Sequence, residues 1–96
     1  MKTNNINADL KKIRHFLKHH KNKISYVKIL DGACGFYYLD EDRIEVDPTQ
    51  DILVVIVHEI LHRIYIYDKE SKILKKERNI INNMTAKQAV NIIRML

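Results

Sequence analysis

The side chains best suited to chemistry in this chain are two histidines and a glutamate in the segment His-Glu-Ile-Leu-His at positions 58–62. An α-helix has about 3.6 residues per turn, so His58 and His62 would lie on one face with Glu59 beside them. Zn²⁺ accepts two neutral imidazoles and one further protein ligand, and it leaves a fourth position for water. The spacing therefore predicts a zinc site of the hydrolase type, with His58 and His62 as two of its ligands.

The residues around this motif are almost all apolar, which predicts a helix buried at the centre of a domain. These apolar neighbours are Ile52–Val57, Ile60, Leu61, Ile64 and Ile66. Titratable side chains in such a helix are costly to bury unless they have a partner, and a metal ion is such a partner. The context therefore favours a metal site over a decayed one or a helix whose histidines merely face solvent.

The start of the metal-binding helix is predicted by the segment Asp47-Pro48-Thr49-Gln50. In this interpretation Asp47 is the N-cap, Pro48 is the first helical residue and Gln50 closes a capping box. The helix is expected to run from Pro48 to Tyr65 or Tyr67.

Five further elements are predicted from apolar periodicity and turn residues. They are a helix over 8–20 capped near Asn7, strands over 24–30, 36–39 and 43–47, and a helix over 69–83. The last two strands form a hairpin with a polar turn. A terminal helix begins at a second capping box, Thr85 to Gln88.

Three acidic residues downstream of His62 are candidates for the third zinc ligand. In an antiparallel helix pair joined near Asp68, the histidines lie roughly 8 to 14 Å from the turn, at 1.5 Å rise per residue. Glu77 lies at about that height on an apolar stripe, so we prefer it. Glu70, on the same face two turns earlier, is the alternative if the first helix ends by Tyr65 and the turn is wider. Asp68 is the third candidate, although a ligand at that spacing needs a helix-breaking glycine where Tyr65 stands.

The length and composition predict one domain over residues 1–96. The chain has 96 residues, of which 46% are hydrophobic, and a single cysteine. The N-terminus is polar and the longest apolar run, Ile52–Val57, is too short for a membrane span, so we expect neither a signal peptide nor a membrane partner. Cys34 cannot form an internal disulfide, which fits a cytoplasmic protein, and we expect it to be a buried or half-buried structural residue.

The net charge of +5 is unevenly distributed along the chain. Residues 1–30 carry eight basic and one acidic side chain, residues 31–59 one basic and eight acidic, and residues 60–96 eight basic and three acidic. The acidic segment, which runs from Asp31 to Glu59, would favour a cation and repel anionic substrates. The basic segments are interpreted as solvated helix faces, so no nucleic acid partner is expected. Nothing in the sequence indicates an oligomeric state.

The order of these features resembles the small gluzincin-type metallopeptidases, zincins of the His-Glu-x-x-His type. These features are a polar turn, an Ile-x-Val-Asp strand, the His-Glu-Ile-Leu-His helix and a glutamate on the next helix. They are especially similar to the very short forms found in bacteria and on phages and other mobile elements. The resemblance covers about residues 35–84, and its most specific part is the motif at 58–62.

This resemblance implies an α+β fold in which a short antiparallel sheet of about three strands packs on the central metal helix, with an N-terminal helix and two C-terminal helices. It also implies a zinc-dependent metallopeptidase that hydrolyses peptide bonds. His58, His62 and a downstream glutamate would bind Zn²⁺, and Glu59 would be the catalytic general base. The strand Ile44–Val46 would be the edge strand that aligns a peptide or protein substrate.

Two further hypotheses remain open at the level of sequence. One is a non-catalytic zincin-like module, or a decayed site, that binds a protein partner through the sheet edge or the basic helices. The other is a small metal-dependent hydrolase that acts on a nucleic acid, which the basic composition suggests and the acidic segment beside the site argues against. The peptidase mechanism also needs an oxyanion donor, for which Tyr37, Tyr38, Tyr65 and Tyr67 are candidates. Each of these tyrosines is more readily interpreted as a packed or rim aromatic residue.

Overall fold

The computed structural model describes residues 6–30 and 32–96. Their elements, in chain order, are α1 (Asn7–His20), β1 (Ile24–Tyr26), β2 (Gly35–Tyr38), β3 (Arg43–Val46), α2 (Ile52–Ile64), α3 (Glu70–Asn83) and α4 (Ala86–Arg94). A short 3-10 helix, Lys21–Lys23, joins α1 to β1. The predicted α+β fold, with an N-terminal helix, a short sheet and C-terminal helices, is confirmed. The polar N-terminal residues 1–5 and Asp31 of the acidic segment lie outside the described residues.

The centre of the fold is α2, which packs against all three other helices and against β2 and β3. Its sequence is apolar on nearly every side, and its buried apolar residues are Val55, Ile56, Val57, Ile60 and Leu61. Burying each such aliphatic side chain stabilises the fold by roughly 1.5–3 kcal/mol relative to leaving it exposed. The core of the fold therefore forms where the other elements pack around this one helix.

The sheet has the strand order β1-β3-β2, with β2 antiparallel and β1 parallel to β3. The prediction of a wholly antiparallel sheet is therefore wrong for β1. The segment between β1 and β3 spans residues 27–42 and includes β2. It is long enough for β3 to enter the sheet in the same direction as β1. The prediction that Ile44–Val46 is an edge strand is also wrong, because β3 is paired on both sides. Ile44 and Val46 are buried in the core, as a central strand requires.

The predicted capping box at Asp47 is not formed. The helix begins at Ile52, and Asp51 occupies the N-cap position without a side-chain hydrogen bond to the helix. The Asp47 carboxylate instead accepts hydrogen bonds from the backbone N–H of Ile29 at 3.0 Å and from the backbone N–H and hydroxyl of Thr49 at 2.9 and 2.6 Å. It thus ties the loop after β1 to the segment that precedes α2.

The remaining boundaries follow the predictions closely at the C-terminus and less closely elsewhere. The capping box of α4 is confirmed, since the Thr85 hydroxyl accepts from the backbone N–H of Gln88 and the Gln88 side chain accepts from that of Thr85. The helix α2 ends at Ile64, short of the predicted residues 65–67. Cys34 is exposed, in contrast to its expected burial. No helix formed by the described residues is long and apolar enough to cross a bilayer.

We predict that Asp47→Asn lowers the melting temperature at neutral pH and that this effect disappears in acid. Hydrogen bonds from Thr49 and Ile29 hold the pKa of Asp47 at about 2, below its ordinary value of 3.8. The charged form therefore contributes stability that is fully present above about pH 4 and is lost as the pH falls through about 2. Thermal unfolding of both proteins across this range measures the difference.

The expected gap in melting temperature is largest above about pH 4 and narrows steadily down to about pH 2. The matched control is Asp51→Asn, because Asp51 is exposed and its side chain does not cap α2. A gap for Asp47→Asn that is the same at every pH would contradict the proposed role of the charge.

Candidate metal centre

The helices α2 and α3 are joined by residues 65–69, and this loop determines which residues of α3 face the histidines. The backbone N–H of Tyr65 donates to the carbonyl of Leu61, and that of Asp68 donates to the carbonyl of Tyr65, so the chain turns tightly. The Tyr65 hydroxyl donates to Asp9 on α1, and the Lys76 ammonium lies 4.3 Å from the centre of the Tyr65 ring. Contacts from α1 and α3 therefore hold the loop in place.

Three possible metal-binding atoms meet where α3 begins. The Nε2 atoms of His58 and His62 lie 3.2 Å apart. Oε1 of Glu70 lies 2.7 Å from Nε2 of His62 and 3.2 Å from Nε2 of His58. His58, His62 and Glu70 form the one group among the described residues whose ligand atoms are arranged to hold a metal ion together.

This group fits the requirements of zinc. Ligand atoms held tetrahedrally at about 2.0–2.1 Å from one zinc ion are about 3.3 Å from one another. The three separations here are 3.2, 2.7 and 3.2 Å. Two imidazoles and a carboxylate are also the kind of donor set found in zinc sites that keep a position for water. The donor types and the two 3.2 Å separations therefore agree with a zinc ion bound by His58, His62 and Glu70. The 2.7 Å separation between Glu70 and His62 is that of a hydrogen bond, and it would lengthen by about 0.6 Å around the ion.

Glu77 occupies a different position from the one preferred in the sequence analysis. Its Oε1 atom lies 2.7 Å from Nδ1 of His58, on the opposite side of the ring from Nε2. The arrangement therefore favours the alternative ligand, Glu70, because α2 ends early and the following loop brings the first turn of α3 level with the histidines. Asp68 lies outside the group, with its carboxylate oxygens 3.9 Å from the ammonium groups of Lys72 and Lys76.

Glu59 is buried beside this group, with 7% of its surface exposed. Burial raises the pKa of Glu59 to about 7; His58 lowers it, and the nearby carboxylates of Glu70 and Glu77 raise it. A carboxyl group with a pKa near neutrality can both accept and release a proton at physiological pH. Its position and its environment therefore suit a general base.

An open cavity of about 480 Å³ leads to these residues. One part of its wall is apolar and contains Phe36, Val54 and Val55, whereas the other part carries the three carboxyl groups of Glu59, Glu70 and Glu77. Among the described residues, no lysine or arginine lines it. The cavity is therefore a groove with an apolar half and an acidic half, large enough for a side chain and the adjoining peptide groups of an extended chain.

The edge strand β2 forms one wall of the groove. The backbone N–H of Asp47 donates to the carbonyl of Cys34. Two residues along β2 from Cys34, the strand register pairs Phe36 with Glu45. In an antiparallel ladder hydrogen-bonded pairs alternate, so the backbone groups of Gly35 and Tyr37 point away from β3. Within the described part of the chain no other strand pairs with this side of β2.

Gly35 is a site residue that the sequence analysis missed. A Cβ atom at Gly35 would lie 2.9 Å from the Glu45 carbonyl oxygen, 2.9 Å from Cγ1 of Val55 and 3.2 Å from Cγ of Glu59. The absence of a side chain therefore lets β2 approach α2 closely beside the predicted base. Its place as one of only two glycines in the chain, directly before the strand predicted over 36–39, was the available signal.

The tyrosines considered as oxyanion donors are directed elsewhere. The hydroxyl groups of Tyr37, Tyr38 and Tyr65 donate to Asp42, Glu45 and Asp9, respectively. Tyr67 is 97% exposed. Tyr37 is the one of the four that lines the groove. The structure thus gives none of these phenols a free hydroxyl directed at the metal-binding group.

Comparisons of the chain with protein-family models, with curated proteins and with solved structures find no match. The interpretation of this site accordingly depends on the residues and distances described above.

We predict that Gly35→Ala destabilises the protein by about 1–3 kcal/mol, because a methyl group must displace the backbone of β3 or the side chains of α2. Denaturant unfolding of the two proteins measures this loss. Ser25→Ala, at an exposed position of β1, is the control and should change stability by less than about 0.5 kcal/mol. Equal stabilities of Gly35→Ala and the parent protein would show that β2 does not need this close approach.

Proposed function

We propose that this protein is a zinc-dependent metallopeptidase that hydrolyses peptide bonds in extended polypeptide segments. The observation that carries the proposal is the convergence of two imidazole Nε2 atoms and the Glu70 carboxylate beside the buried carboxyl group of Glu59. All four residues border one groove, which also has a strand edge along its wall.

In this proposal His58, His62 and Glu70 hold the metal, and Glu59 acts on the water. A zinc ion held by these three residues would lower the pKa of a bound water and polarise the scissile carbonyl group. The Glu59 carboxylate takes a proton from the attacking water and delivers it to the nitrogen of the leaving amine. Glu59 is buried beside the metal-binding group, so its carboxylate lies where a proton from the attacking water would be released.

Glu77 is a positioning residue in this scheme. A hydrogen bond from Nδ1–H of His58 to the Glu77 carboxylate keeps the second ring nitrogen, Nε2, unprotonated and directed at the metal. The same carboxylate fixes the plane of the ring and increases the basicity of Nε2. This assignment explains why a glutamate lies on the otherwise apolar face of α3.

The substrate would add as a further strand to β2. The outward backbone groups of Gly35 and Tyr37 offer hydrogen bonds to an antiparallel peptide. The sequence analysis expected β3 to align the substrate, but β3 is paired on both sides, so we assign this role to β2. The apolar wall of Phe36, Val54 and Val55 suits an apolar substrate side chain. The groove offers no basic side chain to a terminal carboxylate, which favours cleavage within a chain.

We expect purified protein reconstituted with zinc and desalted to retain about one zinc ion per chain, measured by elemental analysis. His58→Ala and Glu70→Ala should lose this zinc, since each removes a ligand. Glu77→Gln should retain zinc but bind it about 10- to 100-fold more weakly in competition with a chromogenic chelator, because His58 loses its carboxylate partner.

Asp68→Asn is the matched control for the metal experiment, since it removes a nearby carboxylate that lies outside the group. Its zinc affinity should equal that of the parent protein. Parent protein that retains no zinc would overturn the metal site. Zinc lost in Glu77→Gln but kept in Glu70→Ala would reverse the roles of the two glutamates.

Glu59→Gln tests the catalytic part of the proposal. The variant should keep its zinc and lose peptide hydrolysis by at least about 100-fold, because the amide cannot take the proton from water. Mass spectrometry of an unfolded protein incubated with each enzyme measures cleavage. Glu45→Gln, on the outer face of the sheet, should cleave like the parent protein. Parent protein that retains zinc but cleaves nothing would indicate a non-catalytic zinc-binding module.

A further inference from the structure

A second concave surface lies between α1 and the C-terminal end of α2. Its cavity has a volume of about 470 Å³ and is lined on its polar side by five basic residues, Lys11, Lys12, His15, His20 and Arg63. Phe16 and Ile64 form its apolar part, and no acidic residue of the described ranges 6–30 and 32–96 lines it. We refer to this cavity and the exposed side of α1 as the basic face.

Several cationic or donor groups of the basic face have no acidic partner in the structure. Lys12 donates to the Tyr65 hydroxyl at 3.1 Å, and Arg63 is paired with Asp42. Lys11 forms no ion pair with any described residue, and its side chain is exposed. The rings of His15 and His20 contact the rings of His19 and Phe16, respectively, and within the described residues their nitrogens have no hydrogen-bond partner. These groups can therefore donate to an incoming anion.

The positive charge continues beyond the cavity along α1 and the turn after it. The basic residues of this segment are Lys11, Lys12, Arg14, Lys18, Lys21 and Lys23. Its one acidic residue, Asp9, already accepts a hydrogen bond from Tyr65. A surface of this kind has a positive potential that attracts anionic groups and increases their rate of association.

The basic face and the proposed metal centre lie close together on α2. Arg63 directly follows His62, and successive residues of a helix are rotated by about 100°. The two surfaces have opposite character, since the groove carries three carboxyl groups and the basic face carries none. A chain bound to both would be oriented by charge, with its acidic part on the basic face and a non-acidic part in the groove.

We propose that the basic face is an exosite that binds an acidic segment of a protein substrate. Carboxylates of the bound segment accept hydrogen bonds from Lys11 and from the His15 and His20 rings. Apolar parts of the segment pack on Ile64, which is half-buried at the edge of the cavity. The identification of the bound protein as a substrate rests on the proposed peptidase function.

A short acidic segment fits this surface better than a nucleic acid does. Arg63 binds Asp42, so the acidic turn that contains Asp40, Glu41 and Asp42 borders the basic face. A polyanion that extended from the cavity past Arg63 would meet these carboxylates, whereas a short acidic segment bound over α1 does not need to extend past Arg63. The basic face also has no exposed tryptophan, tyrosine or phenylalanine on which bases would stack, because Phe16 is buried.

The test is a fluorescence anisotropy titration of a labelled Glu-rich peptide that contains leucines, carried out in low salt and at about 0.15 M salt. Duplex DNA of equal net charge is titrated in parallel. The protein carries Glu59→Gln in every titration, so that binding is measured without hydrolysis. We expect Lys11→Glu and Lys18→Glu each to weaken peptide binding by about tenfold, and higher salt to weaken it further.

The matched control is Lys87→Glu, which makes the same change of charge at an exposed residue of α4 and should alter binding by less than about twofold. Circular dichroism of each variant establishes that the fold is intact. Absence of peptide binding in low salt, equal loss in Lys87→Glu, or tighter binding of the duplex than of the peptide would each overturn the exosite. Peptide binding that depends on Lys11, in a parent protein that cleaves nothing, would support the acidic-segment site and reject only the peptidase function.

Discussion

The structure depends on the burial of α2. This helix is apolar on nearly every side, but one side carries the imidazoles of His58 and His62 and the carboxyl group of Glu59. Water cannot satisfy these polar groups fully, because Glu59 is buried and both histidines are half-buried. The neighbouring helix α3 supplies partners for the two imidazoles, since Glu70 lies against the Nε2 atoms and Glu77 against the remaining nitrogen of His58. The position of α3 is thus tied to the polar stripe of α2 as much as to their shared apolar contacts.

The two proposed binding surfaces divide the charges of the chain between them. Glutamates converge on the groove, while α1 and the turn after it carry an almost uninterrupted set of cations. The excess positive charge of the chain therefore coexists with an acidic groove. At physiological salt, fields fade over about 8 Å, so each surface acts mainly on the group that is directly against it.

Features that depend on residues close together in sequence could be predicted, whereas features that depend on distant segments could not. The His58-Glu59-x-x-His62 helix and the capping box of α4 depend on residues within one or two turns, and both helices form. The direction of β1, the central place of β3 and the choice between Glu70 and Glu77 depend on the path of connecting segments, which composition does not encode. Asp47 was assigned to the wrong motif because an aspartate before a proline suits a helix cap and a turn equally well.

The spacing of seven residues between Glu70 and Glu77 has a consequence for how such a site can change over time. Seven residues are close to two turns of an α-helix, so both glutamates lie on the side of α3 that faces the histidines. One residue added to or removed from α3 between them would rotate one glutamate by about 100° relative to the other and shift it by about 1.5 Å, so only one of the two could keep its contact with α2. Loss of either glutamate by point mutation would leave the other in position. A lineage could therefore lose or regain one of these carboxylates far more easily than it could tolerate a change in the length of the helix between them.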